Sequence, residues 1–404
     1  MLTLVEDSAR RPGALSALTL LAVTLILGMT TWFSASAVIP QLRADWELST
    51  GTGAWLTIAV QLGFVAGALI SSILNLADVL PARVMILGGA IGAALANLGL
   101  LAADGPGLAI PLRFLTGLFI AGVYPPALKL MATWFHRGRG TALGILVGAL
   151  TLGTALPHLV NGLGGLEWRT VIVATSILSL CGGLLALTVG DGPFPFPRAV
   201  FDPRQINRAL SNRGVRLASL GYFGHMWELY AMWAWFVVFF ADGAGGSASS
   251  APYAAFAVIG IGALGCWAGG VLGDRWGRTR TTAAIMAASG TCALIIGLLI
   301  DSPRWLLLMV GLLWGFTVVA DSAQFSTMVT ELADQAYVGT ALTLQLAIGF
   351  TLTVATIWLI PQLEDGFTWR WAFAFLAPGP ALGAIAMLRL RRLPEAARIA
   401  HGLG

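Results

Sequence analysis

Apolar residues fall along this chain in long blocks, and polar residues fall between them. Blocks able to cross a hydrocarbon layer of about 30 Å as helices can be drawn twelve times. They lie near 14–39, 50–74, 83–103, 108–131, 139–163, 168–189, 214–240, 252–273, 280–300, 303–329, 336–360 and 369–392. A backbone in lipid must satisfy its own hydrogen bonds, so each block reads as a helix and the fold class is all-α, a polytopic membrane protein. The opening MLTLVEDSARRPGALSALTLLAV has the basic step before an apolar run that a cleaved leader would show. The run continues into the next loop, however, and is read as an uncut first span.

The blocks form two sets of six. GTAL opens span 5 at 140–143 and span 11 at 339–342, an offset of 199. Trp168-Arg169 opens span 6 and Trp369-Arg370 opens span 12, an offset of 201; Asp78, between spans 2 and 3, has a counterpart 196 residues on in Asp274, between spans 8 and 9. Three matches at nearly one offset imply a duplicated half with both copies in one orientation. Between the copies, Pro193, Pro195, Pro197 and Pro203 break any continuous helix. The expected domains are an N-terminal six-helix bundle at 1–189, a cytoplasmic linker at 190–213 and a C-terminal six-helix bundle at 214–404. In the linker, Arg204 and Arg208 with Ile206 and Leu210 suit either a short amphipathic surface helix or an irregular charged loop.

Composition agrees: 57% of residues are hydrophobic, 10% are charged and mean hydropathy is +0.82, which excludes an ordinary soluble domain. Cytoplasmic loops retain positive charge, and placing both termini inside puts 18 of the 23 Lys and Arg there. The other five are Arg43, Arg113, Arg169, Arg304 and Arg370. This bias accounts for the net charge of +4 without nucleic acid and makes anionic lipid headgroups the expected neighbours. Cys181, Cys266 and Cys292 all fall inside spans, unpaired in spacing, and read as packing residues.

GVLGDRWGRTR, residues 270–280, resembles the loop signature of the major facilitator superfamily and stands where the repeat puts it. The resemblance implies two pseudo-symmetric six-helix bundles and transport by alternating access. It also implies a cytoplasmic gating motif in which Asp274 pairs with Arg275 and Arg278, while Gly270 and Gly277 allow close helix approach and a tight turn. The first-half counterpart LNLADVLPARV, 74–84, keeps Asp78 and Arg83 but has Leu74, Pro81 and Ala82 where the family prefers Gly, Gly and Arg, implying a weaker latch. RFLTG, 113–117, is similar to the fourth-span signature. Spans 2 and 8 lack the arginines of nitrate carriers, and span 1 lacks that of phosphate-ester exchangers. The 144–162 segment approaches the span-5 pattern of drug antiporters through Gly144, Gly153 and Pro157, with Leu156 in place of the glycine before the proline.

An ionised side chain at mid-membrane is costly unless it faces water, pairs or neutralises. His225, Glu228, Met232 and Trp235 recur at helical spacing on span 7, as do Thr317, Asp321, Gln324 and Met328 on span 10. Both stripes are expected to face a central cavity, where Glu228, His225 and Asp321 would carry a coupling proton, similar to the protonatable groups on these spans in sugar and organic-acid symporters. The alternatives are a structural His225–Glu228 pair and an Asp321 satisfied by neighbouring serine and glutamine. Arg113 either meets an anionic solute or bonds nearby carbonyls to set helix packing; His158 lies at similar depth. Tyr124, Gln324, Gln345, Tyr230 and Trp314 complete the expected solute contacts, with Tyr222 a further wall. Gln61, Asn97, Ser34 and Ser36 are neutral contacts or interhelical hydrogen bonds.

No nucleophile motif, metal cluster or phosphate loop occurs in the sequence, so neither an enzyme nor a cofactor is expected, and a proton gradient is the energy source. The function expected is proton-coupled secondary transport of a small polar or anionic organic solute by a monomer in the inner membrane. Its partners would be solute, protons and lipids, with no nucleic acid. Proton-driven multidrug efflux and a non-transporting membrane sensor or scaffold remain open alternatives.

Overall fold

Helices run through the apolar blocks and turns through the polar breaks. The computed structural model describes residues 13–135, 139–164, 167–194, 202–242, 249–334 and 336–404; Pro195, Pro197 and the side chains of Asp78, Arg139 and His401 lie outside the described residues. The first six membrane helices are α1 (Ala14–Gly28), α2 (Thr50–Ile73), α3 (Ala82–Leu98), α4 (Pro106–Ile120, resumed at Tyr124–Ala132), α5 (Arg139–Leu163) and α6 (Trp168–Ala186). The second six are α7 (Arg213–Asp242), α8 (Ala251–Gly260 and Gly262–Trp276), α9 (Arg278–Ile296), α10 (Arg304–Val318, resumed at Ser322–Leu332), α11 (Val338–Phe367) and α12 (Trp369–Ala372, leading to Pro378–Arg391). Eleven described segments are long and apolar enough to cross a membrane. The thirty-residue α7 is not among them, because His225, Glu228 and its polar aromatics dilute its hydropathy.

The helix starts follow capping chemistry. Ser49 accepts from Thr52 N at the head of α2, Glu167 from Arg169 N at α6 and Thr368 from Arg370 N at α12, while Pro106 and Pro252 occupy first-turn positions where no N–H is needed. The linker does form a short helix, Ile206–Ser211. The repeated Trp-Arg pair has a structural meaning. Trp168 Nε1 donates to Asp45 Oδ2 at 2.7 Å, and Trp369 Nε1 donates to Asp242 Oδ2 at 3.3 Å. Each indole thus rivets the start of its half's last helix to an acid at the far end of that half's first span, Asp45 or Asp242.

Within each half, glycines let helices touch backbone to backbone. A methyl group on Gly63 of α2 would strike the Phe114 carbonyl of α4, and one on Gly117 the Val60 carbonyl; Gly265 against Phe316 and Gly315 against Val258 repeat the arrangement between α8 and α10. Between halves, α2 lies along α11 and α5 along α8. Span 1, expected as one helix over 14–39, departs from α geometry after Gly28 and continues as 3-10 turns at Met29–Thr31 and Ser36–Val38. The chain also breaks at 121–123 in α4 and at 319–321 in α10, equivalent points of the two halves, whereas α7 is continuous.

Candidate solute and proton site

Two adjoining hollows lie between the halves. A vestibule of 360 Å³ is lined by the last turns of α2, α4 and α10 and the first turns of α5 and α11, including Ser72, Asn75, Lys129, Thr327, Thr330 and Thr343. Those helix ends lie on the face where α1 begins and α12 ends, so the vestibule opens there. Leu128, Ser326, Leu342 and Leu346 line both this space and a deeper chamber of 140 Å³, whose polar lining is Tyr124, Tyr222, Tyr230, Trp233, Ser322, Ser326 and Gln345. No acidic or basic side chain lines the chamber among the described residues. Toward the opposite face the axis is closed by an aromatic septum. Trp32 packs on Phe64, Tyr230 and Phe350 with centroids 4.8 to 5.7 Å apart, and Phe33 packs on Tyr230 and Trp233 at 6.1 and 6.0 Å.

The residues of α7 that line the chamber are Tyr222, Met226, Leu229, Tyr230 and Trp233. The expected stripe of His225, Glu228, Met232 and Trp235 is turned one residue, about 100°, away from Met226, Leu229 and Trp233. It faces into the C-terminal bundle, not the cavity. Glu228 accepts from Trp314 Nε1 of α10 at 2.6 Å and from Ser289 Oγ of α9 at 2.9 Å. His225 pairs with Asp321, not with Glu228: Nδ1 stands 2.8 Å from Oδ1, both side chains buried, although the N–H is out of line for a hydrogen bond. This pair lies directly behind the chamber wall, since His225 stacks on Tyr222 with centroids 6.1 Å apart and Asp321 precedes Ser322 at the break in α10. At this break the backbone runs through tight turns, Ala320 N donating to Thr317 O, Ser322 N to Val319 O and Gln324 N to Asp321 O.

Arg113 is fully buried without an acid beside it, and oxygen dipoles balance it instead. Its Nε donates to Leu56 O at 3.1 Å; one terminal nitrogen donates to Thr31 O at 3.0 Å and to Ser34 Oγ and Asn97 Oδ1 at 3.1 Å; the other donates to Trp32 O. The guanidinium therefore braces the unwound stretch of span 1 and has no fork to offer a solute. Gln324 is likewise engaged, accepting from Arg278 at 2.8 Å and donating to Gly269 O at 3.2 Å, and Trp314 serves Glu228. Neither lines the chamber. Tyr124, Tyr230 and Gln345 do, whereas buried His158 lies outside it.

At the vestibule face, Arg278 binds Asp274 at 3.1 Å, Gln324, and Glu331 at 3.2 to 3.3 Å through two nitrogens. A methyl on Gly140, at the head of α5, would come within 3.1 Å of Asp274 Oδ1, and Thr141 Oγ1 stands 3.5 Å from Oδ2. Asp274 thus joins the α8–α9 turn of one half to the first turn of α5 in the other, where the helix dipole favours an anion. Gly270 lies against Gly140 and Thr141, and Gly277 takes φ 92°, a left-handed conformation that glycine adopts without strain. Arg275 is exposed and Arg83 half-buried.

The fold is similar to that of a D-xylose-proton symporter, with a TM-score of 0.72 and 16% identity over 95% of this chain and 99% of that one. The model of the Major Facilitator Superfamily matches residues 20–356. The chain belongs to the major facilitator superfamily, whose members are secondary transporters and not enzymes. Two relatives are 28% identical: a probable actinorhodin transporter of Streptomyces coelicolor over 44% of this chain, and the uncharacterized transporter YgaY of Escherichia coli over 43%. These matches span only 31% and 43% of the relatives' own lengths. Superfamily membership gives the Asp274–Arg278 contact its setting, a turn repeated in each half. Glu331, Ser289 and the septum rings other than Tyr230 escaped the sequence reading. Glu331 was signalled only by its charge near the end of span 10, and the septum by nothing local, since its rings come from four helices.

Proposed function

We propose that this chain is a proton-coupled secondary transporter of the bacterial cytoplasmic membrane, both termini inside, that moves a small uncharged amphipathic organic solute. The observation that carries the solute class is the chamber itself: three tyrosines, Trp233, Gln345 and two serines offer stacking faces and neutral hydrogen bonds, with no fixed charge. An anionic solute is disfavoured because Arg113, the expected anion ligand, donates to five protein oxygens. Coupling is assigned to the His225–Asp321 pair and to Glu228, which hold α7 to α10 behind the chamber. A proton gained or lost there changes how the two helices bind each other, while Asp274 and Arg278 latch the halves 1–189 and 214–404 across the linker 190–213. The monomer suffices, since both halves of the pathway come from one chain.

The test is flux in proteoliposomes across a panel from neutral aromatic glycosides to carboxylates, with and without a pH gradient. Gradient-driven movement of neutral members supports the reading; movement of carboxylates alone defeats it.

A further inference from the structure

Four side chains around the septum carry polar atoms with no hydrogen-bond partner among the described residues: both amide atoms of Gln61, both ring nitrogens of His158, and Nε1 of Trp32 and of Trp233. All four residues are fully buried, at 0% exposure. Buried polar atoms are nearly always paired, so a cluster of orphans calls for a reason.

Helical register places the amide and the imidazole on the transport axis. On α2, Ala68, Ser72 and Asn75 line the vestibule, and Gln61 lies on that same face, two turns beyond Ala68 and one turn past the septum ring Phe64. On α5, Val147 lines the chamber, and His158 follows three turns later on the same face. Asn161, one turn farther, donates to Ala37 O of the unwound stretch of span 1, which fixes this end of α5 beside the septum. Trp32 and Trp233 are themselves septum rings. Gln61 and His158 thus lie beyond the closing layer, on the side away from the chamber, while Trp32 and Trp233 belong to the layer itself, Trp233 also facing the chamber.

We propose that Gln61 and His158 form a second solute subsite, used when the pathway opens to the face opposite the vestibule, for hydroxyl or carbonyl groups of a neutral organic molecule. Trp32 and Trp233 supply its stacking walls and N–H donors. It rests on the transport reading for the ligand's class, and it makes recognition sided: Gln345 and the tyrosines serve one face, Gln61 and His158 the other. Parting of the septum exchanges ring-on-ring packing for hydrogen bonds to water or solute at these four groups.

The test uses the full chain with Cys181, Cys266 and Cys292 replaced, in oriented vesicles, carrying Gln61→Cys, His158→Cys or, as control, Ser72→Cys. A membrane-impermeant maleimide should label the first two from the face opposite the vestibule and the control from the vestibule face. p-Nitrophenyl β-glucoside on that opposite face, at about four times its Kd, should slow their labelling about fivefold. Should His158→Cys fail to accumulate, Gln61→Cys carries the test. Labelling of Gln61→Cys and His158→Cys from the vestibule face, no labelling from either face while Ser72→Cys reacts, or no protection by saturating glucoside overturns the subsite. Labelling and protection without gradient-driven flux would instead defeat the transport reading and leave the subsite standing.

Discussion

Replacing Arg113 with lysine keeps the charge and separates a brace from a ligand. The guanidinium reaches five acceptors, Leu56 O, Thr31 O, Ser34 Oγ, Asn97 Oδ1 and Trp32 O. An ammonium has three N–H bonds and no planar fork, so at least two acceptors lose their donor. Hydrogen bonds to a charged group contribute about 1.5 to 3 kcal/mol each, which sets the loss at about 3 to 6 kcal/mol. Ser34 Oγ has one hydrogen to donate, to Asn97 Oδ1 at 2.6 Å or to Thr31 O at 3.0 Å, and that one bond recovers part of it. The net destabilisation expected is therefore about 2 to 4 kcal/mol, large beside the marginal stability of a folded chain. The assay is thermal unfolding of the purified protein in detergent, alongside solute KM in proteoliposomes. Arg113→Lys and Arg113→Gln should both lower the midpoint clearly, with KM unchanged in the folded fraction. Arg113→Lys that melts with the wild type while raising KM for anionic solutes alone would refute the brace.

Glu228→Gln should abolish proton-driven accumulation while solute-for-solute exchange persists, since exchange needs no net proton transfer; gradient-driven flux at the wild-type rate would remove Glu228 from coupling. Asp321→Asn should lose gradient coupling too, and His225→Ala should match it rather than add to it if the pair acts as a unit, which a double-mutant comparison of uptake rates decides. Asp274→Asn should shift the population toward the state open opposite the vestibule with little change in melting, because its contact joins the halves; crosslinking between α5 and α8 reads this, and unchanged accessibility on both faces would exclude the latch. Trp369→Phe removes one indole bond to Asp242 and should cost about 1 kcal/mol, as should Trp168→Phe at Asp45; unchanged melting of both variants would show the rivets to be incidental.

Much of this molecule is determined before it folds. Lipid forces each apolar block to satisfy its own backbone, so the twelve spans and their repeat are legible residue by residue, down to α5, whose bounds of 139 and 163 match the block. The Asp274–Arg278 pairing was legible because GVLGDRWGRTR is a contiguous turn in which the two residues lie one helical turn apart. Rotation of a helix about its axis was not legible. α7 is buried on nearly every side from Glu228 to Phe240, so it carries no one-sided apolar stripe to reveal which face meets the cavity. Packing settled that: glycine contacts such as Gly224 against Gly379 seat α7 on α12 and turn Glu228 toward Ser289 and Trp314. The partner of Arg113 was hidden for a related reason. Two of its five acceptors, Thr31 O and Trp32 O, are carbonyls of the stretch where span 1 leaves α geometry, and the rest come from α2, α3 and Ser34, so only the packing of α4 against these elements brings them to the guanidinium. The sequence thus determines which groups lie within the membrane; the tertiary structure decides which of them meet, because interhelical contacts are made between residues far apart in the chain.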